Sequence, residues 1–289
     1  MGQDSFAHPP ESGDKVAEFR RLFGLYIRAV DTMAHKLPPP GKEDCLRDAE
    51  PLAIKLSSHL ATLLYIHSGT KLQGVLPEGV SFTDFSSSAV LARSAFETFL
   101  TFHFIFVSPG SADELRLRYL AWCLRGLSER KRFGPSDEAG RQVLARDAIE
   151  IDKLNNEIHQ NPAYLALPKN QQKLARKGDW RFGKPWAKLA ENTDLGKAYG
   201  AGLYAYLSSY AHSGYLSALQ ISQATSQQDQ CKLAKMYVGM CLVLMSHFLC
   251  SYAKLFSSVA EHIESNPKDK ALLDMWYWVG RNIGEAETT

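Results

Sequence analysis

One helix-length stretch limits what this chain can fold into more than any other. Residues 86–107 read SSSAVLARSAFETFLTFHFIFV, apolar on nearly every side, with Arg93 and Glu97 near the middle. A helix that is apolar all round is buried in a large core or in a membrane. Arg93 and Glu97 lie four residues apart and so share one helical face, where each needs an internal partner because an isolated buried charge is costly. We predict that residues 86–107 form the central helix of the fold.

Helical periodicity continues through most of the chain, and no stretch alternates convincingly like a β-strand. The other predicted helices cover residues 14–37, 50–73, 113–132, 135–160, 194–224, 229–263 and 268–283. The sequence therefore predicts an all-α protein, a single helical bundle of about six to eight helices. We expect the central helix to pack with residues 236–258 and 195–212.

Composition and helix-breaking residues suggest how the chain is divided. Residues 1–13 are polar and contain proline and glycine, which predicts a flexible leader before one domain over residues 14–284. Prolines, glycines and cations mark residues 161–193 as an irregular basic insert. The five cysteines have no zinc-type spacing and residues 1–15 contain no apolar segment, so we expect reduced thiols and a cytoplasmic location.

Two stretches are apolar enough to raise the question of a membrane span. Residues 236–253 lack charges, but they include Ser246 and His247, and their length is marginal for a span. The central helix carries Arg93 and Glu97, which would be costly in lipid. We predict two core helices and no stable membrane insertion.

A second polar constellation lies about a hundred residues after the central helix. Tyr204, Ser208 and His212 follow one another at four-residue intervals and so share a helical face. An imidazole there has the chemistry of a general acid or base near neutral pH. For these residues and for the Arg93/Glu97 pair, two interpretations stay open: a functional site, or a satisfied polar network inside the core.

Together these motifs carry a resemblance. Arg-x3-Glu on an apolar helix, followed by Tyr-x2-Leu-Ser-x3-His, resembles a largely bacterial all-helical family of unknown function over about residues 50–260. Such families are similar to HEPN-type helical proteins, which include metal-independent ribonucleases of stress and phage defence. In those nucleases an Arg-x4–6-His motif on a late helix acts on the RNA backbone. Here that spacing occurs on the first helix, from Arg28 to His35, and not on the C-terminal helices.

The irregular insert supplies a third candidate. A net charge of +2 is too small to argue for nucleic acid by itself, so any basic patch must be local. Cations interleaved with aromatic residues suit single-stranded nucleic acid, whose phosphates pair with cations while its bases stack. The alternative is a solvated loop that its tryptophans pin to the bundle. The segment comprises Lys169, Lys173, Arg176, Lys177, Trp180, Arg181, Phe182, Lys184, Trp186 and Lys188, and a second cationic cluster comprises Arg125, Arg130, Lys131 and Arg132.

Our hypothesis is a bacterial protein that binds RNA or cleaves it without a metal. The alternative is a non-catalytic interaction or scaffold protein with a buried Arg/Glu/His network. A homodimer is left open, and no metal or cofactor is expected because HExxH, P-loop and GxGxxG motifs are absent. The predicted catalytic residues are Arg93 as phosphate binder, Glu97 as its orienting group, Ser208, and His212 as acid/base. The predicted substrate-binding residues are Tyr204, Lys177, Trp180 and Arg181.

Overall fold

The computed structural model of the chain describes residues 13–34 and 44–283. These residues form thirteen α-helices and one two-stranded hairpin, so the all-α prediction is confirmed. The predicted leader, apart from Gly13, lies outside the described residues, as do His35 and the rest of the predicted end of the first helix. The helix number exceeds the expected six to eight because two long predicted helices are each divided and the insert contains short helices.

The elements follow one another in chain order. The first are α1 (Lys15–Ala34), a 3-10 turn (Asp44–Asp48), α2 (Ala49–Ile66), β1 (Thr70–Leu72), β2 (Val80–Phe82) and α3 (Phe85–Phe102), which continues as a π-helical turn (His103–Val107). Next come α4 (Ala112–Phe133), α5 (Glu138–Gln160), α6 (Pro162–Ala166), α7 (Lys169–Ala175) and α8 (Trp186–Ala190). The last are α9 (Lys197–Ala211), α10 (Tyr215–Gln223), α11 (Gln227–Leu255), α12 (Ser257–Glu264) and α13 (Pro267–Asn282).

Helix starts follow side-chain capping, which satisfies backbone N–H groups that have no partner within the helix. Asp84 accepts a hydrogen bond from the Ser87 amide at 2.9 Å and so starts α3. Ser111 does the same for the Glu114 amide at 3.2 Å. The helix expected to open at Pro135 begins instead at Glu138, because Asp137 accepts from the Gly140 amide at 2.7 Å.

Three of the predicted helices end earlier than their periodicity indicated. The helix expected to reach residue 73 stops at Ile66, and residues Thr70–Leu72 pair with Val80–Phe82 in an antiparallel hairpin. The stretch 194–224 breaks where Ser213 takes a φ of 53°, a left-handed conformation that a helix does not continue through. The long helix after residue 227 breaks at Phe256, which is extended at φ −131° and ψ 108°.

The described residues group into two compact units. The central unit is Phe104–Leu189, and the flanking unit is formed by the described residues before Phe104 and after Leu189. The single domain with an insert at 161–193 stays a prediction. In the flanking unit α3 packs against α2, α9 and α11, with Phe102 and Phe248 fully buried and their rings 4.4 Å apart.

In the part of the chain that the structure describes, two helices are long and apolar enough to cross a membrane by length and composition, Phe85–Val107 and Gln227–Leu255. In each, most of the apolar window is buried inside the protein, at 61% and 67%. Burial of this kind is what core helices show, so their hydropathy is weak evidence for a span.

Candidate functional site

Arg93 and Tyr204 meet in the flanking unit. The Arg93 Nη2 donates to the Tyr204 hydroxyl at 3.2 Å, and the guanidinium carbon lies 5.3 Å from the Tyr204 ring centroid. Arg93 Nε and Nη2 both lie 3.0 Å from Glu97 Oε1, so the carboxylate also orients the guanidinium. The Arg93 side chain is 11% exposed and that of Glu97 30%. This cluster therefore joins α3 to α9 through a charged hydrogen bond.

The other two predicted catalytic residues do not complete an acid–base site around Arg93. The Ser208 hydroxyl donates to the Tyr204 carbonyl oxygen at 2.7 Å, a hydrogen bond within α9. His212 caps the end of α9 and is exposed. It lies eight residues beyond Tyr204, which is about 12 Å along a helix axis. Within residues 13–34 and 44–283 no hydrogen bond or ion pair involves the His212 side chain.

The central unit contains a tight turn between α7 and α8 that presents the predicted substrate-binding aromatics. Gly178, Phe182 and Gly183 all have positive φ, at 73°, 53° and 80°. The Asp179 carboxylate accepts from the amides of Arg181 and Gly183, each at 3.2 Å. A non-glycine residue at positive φ persists only when its surroundings enforce it. Buried Phe182, whose ring packs 6.5 Å from that of Phe104, supplies one such anchor.

Gly178 supplies a second anchor because it touches the backbone of α4. A Cβ placed on Gly178 would lie 2.7 Å from the Arg125 amide nitrogen and 2.8 Å from its Cα. Only a residue without a Cβ permits this approach. The contact fixes the turn beside the cationic residues of α4.

A cavity of about 1050 Å³ lies between α4, α5 and this turn. Two predicted substrate-binding residues, Trp180 and Arg181, line it together with Trp186, and so do Arg125 and Arg130 of the separately predicted cationic cluster. Its volume is at the upper end of the roughly 300–1,000 Å³ of typical ligand clefts. Lys177 precedes Gly178 and is exposed outside the cavity lining.

The sequence analysis missed the α4 aromatics of this cavity. Tyr119 and Trp122 line it, with ring centroids 6.4 Å apart, and the Arg116 guanidinium lies 5.7 Å from the Tyr119 centroid. Tyr119, Trp122 and Arg125 follow one another at three-residue intervals and so share one helical face. That pattern in an otherwise charged helix was the available signal.

A buried arginine near the π-helical turn was also not among the residues predicted from the sequence. Arg118 is 6% exposed, donates to the Phe104 carbonyl and to Ser108 Oγ, and pairs with Glu114. Burial lowers the pKa of Arg118, while Glu114 acts against this shift. Burial, and then Arg118, also lower the pKa of Lys184. The Phe104 carbonyl belongs to the π-helical turn, so Arg118 provides a hydrogen-bond donor for a backbone group of that irregular turn.

Charge is distributed unevenly along the chain. Residues 104–189 contain sixteen Lys and Arg against ten Asp and Glu, a net charge of +6. The remaining residues carry seventeen and twenty-one, a net charge of −4. The small net charge of the whole chain therefore hides a basic central unit. Among the described residues, no group of three or more His, Cys, Asp or Glu side chains is placed to hold a metal ion.

Fold and site together define an all-α protein with a cavity that aromatic and cationic side chains line. The chain belongs to the family of unknown function DUF5677, whose model matches residues 81–229. The match includes both predicted polar constellations and the whole cavity lining. Neither the curated proteins nor the solved structures give a match to this chain.

Proposed function

We propose that the central unit binds single-stranded RNA. The observation that carries the proposal is the cavity, which four aromatic side chains, Tyr119, Trp122, Trp180 and Trp186, line together with cations. Base–aromatic stacking is tolerant of sequence, and cations along the path neutralise phosphates. The net charge of +6 on residues 104–189 favours an anionic partner such as RNA over a basic or apolar partner.

The preformed turn adds to this support. Trp180 and Trp186 pack edge to face with centroids 5.8 Å apart, and Trp180 lies 5.9 Å from Phe104. Rings held in this way lose little freedom when a base stacks on them, so less free energy is spent on ordering the site. Exposed Lys131, Arg132 and Lys177 extend the positive charge beyond the cavity lining.

RNA cleavage by Arg93, Glu97, Ser208 and His212 is not part of this proposal. The pairing of Arg93 with Glu97 and Tyr204 supports a structural role for that cluster, as in the hypothesis of a non-catalytic polar network. The HEPN-type resemblance and a bacterial defence role rest on the sequence motifs, and a cytoplasmic location rests on the cysteine spacing and the polar residues 1–15. They accompany the proposal as expectations.

The test is a titration of the full chain into a fluorescently labelled ten-nucleotide oligouridine, followed by anisotropy. We expect binding that weakens as salt rises, and a loss of about 1–3 kcal/mol in binding free energy for Trp180→Ala. Trp278→Ala is the matched control, because Trp278 is 50% exposed on α13 in the flanking unit. Circular dichroism of each variant verifies the fold. The charge reversal Lys177→Glu provides a second variant at an exposed position outside the packed core.

Absence of binding by the wild type would refute the proposal, as would equal binding by wild type, Trp180→Ala and Lys177→Glu. Oligothymidine and an RNA duplex are parallel probes. Preference for the duplex would contradict a stacking mode of recognition, since paired bases do not offer free faces.

A further inference from the structure

We propose that Arg181 is the residue that binds phosphate in this cavity, while the other cations of the lining mainly hold the site together. This inference rests on the proposed function and assigns its phosphate-binding group. It follows from how each cation in the lining is paired.

Four of the five cations have a carboxylate partner. Arg116 pairs with Glu157 at 2.5 Å and Arg125 with Glu129 at 2.6 Å. Arg130 makes two hydrogen bonds to Asp147, at 2.7 and 2.5 Å, and Lys153 approaches Glu150 at 3.4 Å. A cation whose charge is already neutralised gains less from a phosphate, because the existing partner must be displaced or repels the ligand.

Arg181 is different. Among the described residues no carboxylate lies within salt-bridge distance of its guanidinium. That group lies over aromatic rings instead, with its carbon 4.6 Å from the Trp186 centroid and 5.7 Å from the Trp180 centroid. Asp179 is the nearest acid in sequence, and its two carboxylate oxygens accept the backbone amides of Arg181 and Gly183.

Stacking on a ring leaves the N–H donors at the edge of a guanidinium available. A planar guanidinium binds phosphate through two parallel hydrogen bonds, and cation–π contact holds its plane without using those donors. The turn between Gly178 and Gly183 fixes the backbone beneath it. Arg181 therefore offers a preoriented fork beside the faces on which bases would stack.

The experiment compares Arg181→Gln with Arg125→Gln in the full chain. Arg125 is the matched control, since it lines the same cavity but is paired with Glu129. Dissociation constants for labelled oligouridine are measured at several salt concentrations. For Arg181→Gln we expect about tenfold weaker binding and a salt dependence reduced by about one phosphate contact. For Arg125→Gln we expect a smaller loss of affinity than for Arg181→Gln, because the charge of Arg125 is already paired with Glu129.

A third variant, Arg181→Lys, separates the guanidinium from its charge. It should restore the salt dependence but only part of the affinity, because an ammonium cannot bind a phosphate through two parallel hydrogen bonds. If Arg181→Gln and Arg125→Gln have equal affinities and salt dependences, the assignment of Arg181 is overturned. The proposed function still stands in that case if binding depends on Trp180. A wild type that does not bind overturns both.

Discussion

The Arg93 guanidinium donates a 3.2 Å hydrogen bond to the Tyr204 hydroxyl across 111 residues of sequence. Because Glu97 Oε1 lies 3.0 Å from both Nε and Nη2 of the same guanidinium, a charge pair inside an apolar helix becomes a three-residue link from α3 to α9. This arrangement explains how a helix as apolar as α3 accommodates an arginine. The cation is 11% exposed and keeps both a carboxylate and a phenol as partners.

Removing the Tyr204 hydroxyl should therefore weaken the fold. For Tyr204→Phe we expect the free energy of unfolding to fall by about 1–2 kcal/mol, because a hydrogen bond to a charged group is lost while the ring remains. Urea denaturation followed by circular dichroism measures the change. Tyr65→Phe is the matched control, since Tyr65 is 83% exposed, and its effect should stay within about 0.5 kcal/mol. Equal effects of the two substitutions would show that the Arg93–Tyr204 contact contributes nothing.

For His212 we expect a substitution to have almost no effect on stability. It is exposed at the end of α9, so His212→Ala should change the free energy of unfolding by less than about 0.5 kcal/mol and leave oligouridine affinity unchanged. Incubating a labelled RNA with wild type and with His212→Ala also tests the cleavage hypothesis. If the wild type cleaves RNA without a metal and folded His212→Ala does not, His212 has a catalytic role. The arrangement of α9 and Arg93 does not indicate such a role.

Much of the helical architecture could be predicted because its signals are local. The apolar period of α3 and the capping residues Asp84 and Ser111 lie within a few residues of the elements that they define. Where two local signals competed the sequence analysis was wrong. Pro135 suits a first helical turn, but Asp137 caps the helix and α5 begins at Glu138, three residues later in the chain.

The features that could not be predicted depend on contacts between distant residues. The break at Phe256 has no glycine or proline to mark it, and the hairpin strands of three residues each are too short to show an alternating pattern. The cavity is the clearest case. Its cationic clusters were recognised separately, but only the approach of Gly178 to the Arg125 backbone brings them to one site.

The close approach of Gly178 to the Arg125 backbone provides a stability prediction. Gly178→Ala should lower the free energy of unfolding by about 1 kcal/mol through its positive φ and by roughly 1–3 kcal/mol more through overlap with α4. Gly74→Ala isolates the first effect, because Gly74 has a similar φ, 76° against 73°, with no atom within 4 Å of the added Cβ. Thermal or urea unfolding of both variants gives the difference. If Gly178→Ala is no worse than Gly74→Ala, the turn is not held against α4 as described.

Acid should destabilise the flanking unit through His247. Its ring is 1% exposed and lies 4.5 Å from the Tyr277 ring. Burial lowers the pKa of His247 to about 4, and Arg281 and His103 lower it as well, while Asp194 acts in the opposite direction. Since an unfolded histidine titrates near pH 6.5, the unfolded chain takes up a proton between about pH 6.5 and 4 that the folded chain refuses. Stability is thus independent of this group above that window and falls as the pH drops through it.

The expected loss across the window is about 3 kcal/mol from the difference in pKa. His59, whose pKa burial also lowers, and the carboxylates contribute to the total acid dependence of the wild type. The variant His247→Leu removes one titrating group and retains an apolar side chain of similar size. Urea unfolding between pH 8 and 4.5 should give a shallower decline for His247→Leu than for the wild type, whatever its stability at pH 8. Parallel pH profiles would mean that the buried ring takes up its proton without opposing the fold.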